Sequence, residues 1–243
     1  MIAWFFHTAI YYPIYNALAA ALSLVPNGDI GLAIILITIL IKLILFPLAV
    51  KASHTQHAMR GLEPSLKEVK EKHKDDTQEL AKATLALYKE NGVNPFASVL
   101  LLLIQLPIIL GLYWVILAEG KGGAFDPALL YSFIPVPAAT SFTFLGLIPV
   151  AQGSIILALI VAVTQYIQAK LLMPVAPVPT GKGFQDDLAS SMHLQMRYVF
   201  PIVLGVISYV ASAAIALYFI TSNIFGIMQE LVALRRHRSD NGH

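Results

Sequence analysis

Lys42 lies about 12 residues into Ile30 to Val50, a run of 21 residues in which it is the single charge. A lysine at that depth in a bilayer costs about 2.5–3.5 kcal/mol on insertion scales, so such a residue normally faces water, a partner or a function. It can also snorkel to an interface one or two turns away. No aspartate or glutamate stands at membrane depth to pair with it, because Asp29 and Glu230 fall at the ends of apolar runs. The other polar side chains at that depth are Thr38, Gln105, Thr164, Gln165, Gln168, Ser208, Ser212, Thr221, Ser222 and Asn223. If they converge, they line a wet cavity holding one cation and several neutral hydrogen-bonding groups. Helix packing is the competing reading for Ser208, Ser212 and Ala216, which form a small-xxx-small row. Pro107 and Pro201 either kink their helices or turn freed carbonyls toward the cavity.

Other chemistries have little to stand on. The chain has no HExxH, GxSxG or P-loop and no paired carboxylates within an apolar run, so neither an enzyme nor a cofactor site is expected. His54 and His57 have HxxH spacing but no third ligand, and no metal is expected. With zero cysteines there is no disulfide, thiolate site or lipidated cysteine.

The elements that must position Lys42 are membrane spans. Of the 243 residues 57% are hydrophobic and 12% charged, about half the charged share of a soluble domain. A span needs roughly 20 apolar residues. Residues 28–50 and 95–118 qualify directly. In the uncharged interval 127–169, Pro135, Pro137 and Pro149 break the first part, which leaves a span over 151–173. The block Tyr198 to Gln229 is 32 uncharged residues. Basic residues flank both its ends, so it reads as two short helices, 192–210 and 214–233, that turn near Ala211 to Ala213. Eight of the 16 lysines and arginines then fall in 51–95, three in 170–197 and three in the tail 234–243. Lys121, in the segment 119–150, is alone on the opposite face. The excess predicts that the N-terminus is outside and the C-terminus in the cytoplasm.

Residues 1–27 are apolar but interrupted by His7, Pro13 and Asn16, and lack a basic start, which argues against a cleaved signal peptide. Trp4, Tyr11, Tyr12 and Tyr15 suit an extracytoplasmic interfacial helix. The polar stretch 51–94 reads as a helical hairpin: Met59, Leu62, Leu66 and Val69 form one seam, and Leu80, Thr84 and Leu87 a second after the Asp75-Asp76 break. Asn91-Gly92 closes it. Residues 174–191 read as a cytoplasmic loop.

The strings ILIKLILFPL (39–48), ALYKENGVNPF (86–96), LLLIQLPIILGLYW (101–114), TQYIQAK (164–170) and LYFITSNIFGIMQ (217–229) closely resemble the YidC/Oxa family of membrane protein insertases in order and spacing. The resemblance covers about 8–233 and implies an all-α fold: five transmembrane helices around a hydrophilic groove, a cytoplasmic hairpin and an N-terminal interfacial helix. Two departures stand out. Lys42 replaces an arginine usual in the family, which keeps a positive charge but loses the bidentate fork. The turn 211–214 reads Ala-Ser-Ala-Ala in place of Pro-Ser-Gly.

By that resemblance the chain takes nascent hydrophobic segments from the cytoplasm, helps short acidic tails cross and releases helices sideways into the lipid bilayer. Lys42 would supply the charge. Thr38, Gln105, Gln165, Gln168, Ser222 and Asn223 would line the groove, and Ile108, Tyr113, Tyr218 and Phe219 would form a slide for the substrate helix. Nascent membrane proteins are the expected partners, with the ribosome and the Sec translocon meeting the hairpin at about 55–91. No specific nucleic acid binding is expected. The short tail after Glu230 suits a bacterial plasma membrane. The alternative is a small-solute or ion transporter with Lys42 as counter-ion.

Overall fold

The computed structural model describes residues 4, 6–73, 76–94, 97–122, 125–172 and 194–240. The expected loop 174–191 lies outside the described residues, as do Asp75, Pro95, Phe96 and residues 241–243. So do the side chains of His57, Lys121, Arg235, Arg236 and Arg238. The chain divides into two compact units, Met1–Ile44 with Gln105–His243, and Leu45–Ile104.

Nearly all the described structure is helical: α1 (Tyr12–Leu22), α2 (Ile30–Gly61), α3 (Glu63–Lys72), α4 (Thr77–Glu90), α5 (Ala97–Gly122), α6 (Ile155–Leu172), α7 (Phe200–Ala211) and α8 (Ala213–Asp240). Among the described residues, three stretches are long and apolar enough to span a bilayer: Ile30–Thr55, Ile155–Leu172 and Ala213–Ala233. Leu103–Glu119 and Gln195–Ala211 are shorter apolar helices. α8 runs on to Asp240, through the segment expected as a tail.

Large apolar side chains on these helices stand in the open. Ile44 is 67% exposed, Leu159 63%, Ile202 63% and Val210 76%. Water would penalise that surface, whereas lipid is its natural solvent. The first unit still has a packed core, including Tyr15, Leu18, Ile30, Ile34, Val115, Ile116, Val150, Val161 and Ala213.

Packing in this unit depends on small residues. α6 lies against both α7 and α8. A Cβ added at Gly205 on α7 would stand 3.0 Å from the Ala158 carbonyl and 3.2 Å from Ala162 Cβ, so the close approach of α6 and α7 uses a glycine. Ser208, Ser212 and Ala216 are all buried, but the chain turns at Ser212, so they fall on two helices and their joint and make no single-helix packing row.

Two prolines begin helices in the same way. A π-turn at His7–Tyr11 precedes Pro13, and another at Gln195–Val199 precedes Pro201. Proline has no N–H to give and its ring crowds the carbonyl four residues back. Widening the preceding turn by one residue relieves both problems. Pro201 therefore opens α7 at a π-turn.

The junction of α7 and α8 is one extended residue, Ser212. Free N–H groups at the start of α8 would be costly in a bilayer. Backbone carbonyls of Gln152 and Val150 accept them from Ala213 at 2.6 Å and from Ala214 at 3.0 Å. Gly153 gives this contact its room, since a side chain there would collide with the Tyr209 carbonyl.

Other points of the segment 125–154 are bonded to the helices as well. Its hairpin, β1 (Thr143–Phe144) and β2 (Ile148–Pro149), is antiparallel. Asp29 caps α2 by accepting from Leu32 N–H at 3.0 Å, and its other oxygen accepts from Leu145 N–H at 2.6 Å. Asn16 in α1 donates to the Leu129 carbonyl at 3.0 Å and accepts from Tyr131 N–H at 2.6 Å. The Tyr15 hydroxyl accepts from Asp126 N–H at 2.6 Å. Burial pushes that phenol above its ordinary range; the Asp126 backbone bond works against the rise and the charge of Glu119 adds to it. Tyr15 and Asn16 are thus buried anchors for the loop, a role that the sequence did not show.

In the second unit α3 packs on α4. Leu62, Leu66, Val69, Leu80, Thr84 and Leu87 are half-buried along the expected seams. Asp76 caps α4 by accepting from Gln78 and Glu79 N–H at 2.9 and 3.0 Å. Gly92 follows the Asn91 cap with φ +65°, a conformation that glycine takes without strain.

Asp29→Ala removes a helix cap and a loop anchor together. It should destabilise the purified protein by about 1–2 kcal/mol, read as a lower Tm in detergent, with Asp29→Asn losing less.

Candidate functional site

Thr38 and Lys42 are four residues apart and share a face of α2. Lys42 Nζ donates to Gln105 Oε1 on α5 at 3.4 Å. The Gln105 amide nitrogen donates in turn to the Tyr218 hydroxyl and to Ser222 Oγ, the latter at 3.4 Å, both on α8. A glutamine suits this place because one end of its amide accepts from a cation while the other donates to hydroxyls. Among the described residues, no carboxylate forms an ion pair with Lys42.

A second cluster joins α8 to α6. The Asn223 amide, oriented by its hydrogen-bond partners, donates to Gln165 Oε1 at 2.9 Å and Gln168 Oε1 at 2.8 Å. Thr164 Oγ1 lies 3.1 Å from the same amide. Gly226 makes the room, because an added Cβ would collide with the Gln168 amide nitrogen.

The polar residues therefore gather as two networks. Ser222 belongs to one and Asn223 to the other, and neighbours in a helix point about 100° apart. Thr38 joins neither. It is 2% exposed and its hydroxyl donates to the Ile34 carbonyl at 2.7 Å. Thr221 and Ser208 likewise bond their own helices, each at 2.8 Å. Ile108, Tyr113 and Phe219 of the expected slide are half-buried. Tyr218, by contrast, is 2% exposed and its hydroxyl belongs to the Lys42 network. The sequence held a signal for this, since a tyrosine deep in a span needs a partner for its O–H. Gly226 gave no such signal.

Long apolar helices with exposed aliphatic surfaces, enclosing two half-buried polar networks of which one holds a cation, define a multi-pass α-helical membrane protein. The family model described as 60Kd inner membrane protein matches residues 22–240, and the chain belongs to that family. Proteins named membrane protein insertase YidC are among its relatives. The one from Fusobacterium nucleatum subsp. nucleatum is 31% identical over 92% of this chain and 98% of its own length. The one from Clostridium tetani is 32% identical over 85% of this chain and 82% of its own. In the Francisella philomiragia relative, 29% identical, the match covers 87% of this chain but 34% of that protein.

Gly226→Val should push Gln168 out of the second network and lower stability by about 1–3 kcal/mol. Gly61→Ala, where an added Cβ meets nothing within 4 Å, should leave Tm unchanged or slightly raised in the same thermal scan.

Proposed function

We propose that this chain is a membrane protein insertase that draws acidic segments toward Lys42. The observation that carries the reading is a lysine in a spanning helix whose polar contact, among the described residues, is an uncharged amide at 3.4 Å. Its charge is left over for a visitor. Opposite charges about 4 Å apart gain on the order of 4 kcal/mol at an effective dielectric of 20. Desolvation offsets part of that, so the segment can leave again.

A polar segment crossing hydrocarbon loses several kcal/mol for each unsatisfied group, on the order of the cost of a buried amide. In this reading Lys42, Gln105, Tyr218 and Ser222, with Gln165, Gln168 and Asn223 beyond them, hydrate such a segment for part of the way. Ile108, Tyr113 and Phe219 guide its hydrophobic helix into lipid. The 17 residues Gln195–Ala211 reach about 25 Å as a helix, less than a hydrocarbon core, and would thin the bilayer locally.

The lysine and arginine excess supports an orientation with the hairpin and the Asp240 end of α8 in the cytoplasm and the Asp29 end of α2 outside. The hairpin would then meet the nascent chain, and the ribosome or the Sec translocon with it. The membrane is a bacterial one, in keeping with the relatives. Nothing in the site favours a solute transporter, and no relative described above carries that name.

Insertion of a substrate with an acidic tail should fall about tenfold or more in Lys42→Glu, a change of about 1.4 kcal/mol or greater. Lys42→Arg should retain it. Unchanged insertion by Lys42→Glu in reconstituted vesicles would sink the charge role. Photo-crosslinkers at Ile108 and Phe219 should capture a stalled nascent span, and those at Lys67 on the hairpin should capture it earlier in synthesis.

A further inference from the structure

Residues 127–154 contain no charge, and part of their apolar surface is left open. Ser141 and Thr143 are half-buried and turn their hydroxyls toward each other, 2.7 Å apart. Phe142, Phe144 and Ile148 pack against the core, but three large apolar side chains face out: Phe133 is 78% exposed, Leu147 82% and Leu145 59%. Leu145 also has a φ of +53°, which glycine or asparagine would adopt at less steric cost. The turn holds a leucine outward where a polar residue would be easier to build.

The position of this turn is set by the membrane span itself. Leu145 N–H is bonded to Asp29 at 2.6 Å. Ser141 exchanges backbone hydrogen bonds with Gly28 and Ile30, at 2.8 and 3.1 Å. Ile30 is the first residue of the apolar run Ile30–Thr55. Leu145 and Leu147 therefore stand level with the end of a span, where hydrocarbon gives way to headgroups. Leu24, 77% exposed on the link from α1 to α2, stands at this same end.

We infer that Phe133, Leu145 and Leu147 form an apolar wedge seated in the headgroup and acyl boundary of the leaflet at the Asp29 end of α2. Lipid is the occupant because the wedge continues the lipid-facing surface of the spans and carries no charge with which to orient a protein partner. The inference is independent of what the Lys42 network handles.

The chain has no cysteine, so the full-length protein can carry one nitroxide at Phe133→Cys, Leu145→Cys or Leu147→Cys. Each variant is reconstituted in phosphatidylethanolamine and phosphatidylglycerol vesicles. Collision with oxygen, which enters lipid, is compared with collision with a nickel chelate, which stays in water. Leu159→Cys gives the lipid-facing reference and Lys67→Cys the aqueous one. The wedge is expected to favour oxygen, as Leu159→Cys does. A preference for the nickel chelate at these positions overturns the inference. So does shielding from both reagents, or dipolar broadening between labelled copies, since protein would then cover the patch. Reading three sites keeps the test decisive if one substitution disturbs the turn.

Discussion

An ammonium group cannot rest in hydrocarbon without hydrogen-bonding partners, and much of the first unit is arranged around that constraint. Lys42 reaches Gln105, which reaches Tyr218 and Ser222, so one cation draws side chains from α2, α5 and α8 into a single line. The partners are neutral. A carboxylate in place of Gln105 would make a stronger bond and use up the charge. The amide holds the ammonium in position and, among the described residues, sets no opposite charge against it.

The same economy governs the backbone. A membrane-spanning helix needs its end groups satisfied as well as its interior. In this chain the segment 125–154 does much of that work at one end of the first unit. It meets the Asp29 carboxylate at the start of α2, gives carbonyls to the start of α8, and is held to α1 through Tyr15 and Asn16. A stretch whose regular structure is one 3-10 turn and a two-stranded hairpin is thereby bonded at several points to the helices it joins.

Much of this is legible in the sequence. Runs of leucine, isoleucine and valine marked the helices, and the isolated charge marked Lys42, because composition and depth are properties of sequence. The hairpin seams and the Asp76 and Asn91-Gly92 helix ends were legible for the same reason. Partner choice was harder to read. Thr38 looked available to the lysine, but a threonine in a helix can satisfy itself on the carbonyl four residues back. Tyr218 read as apolar surface, and its hydroxyl became meaningful only beside Gln105. Ser222 and Asn223 looked like one polar patch, yet helical geometry sends them to different neighbours. The flanking charges also placed a turn near Ala211 to Ala213 without revealing that the carbonyls of Val150 and Gln152 complete it.

That turn has a mechanical side. With one extended residue between them, α7 and α8 behave as the two arms of a pair of tweezers joined at Ser212. The joint is clamped by the 150–152 backbone, and Gly205 lets α7 settle against α6. Any spreading of the arms must therefore grow with distance from the joint. A small tilt that barely disturbs Ser212 would open the greatest gap at the opposite end of α7, near Arg197, while Ser222 and Asn223, on intermediate turns of α8, would move by a smaller and graded amount.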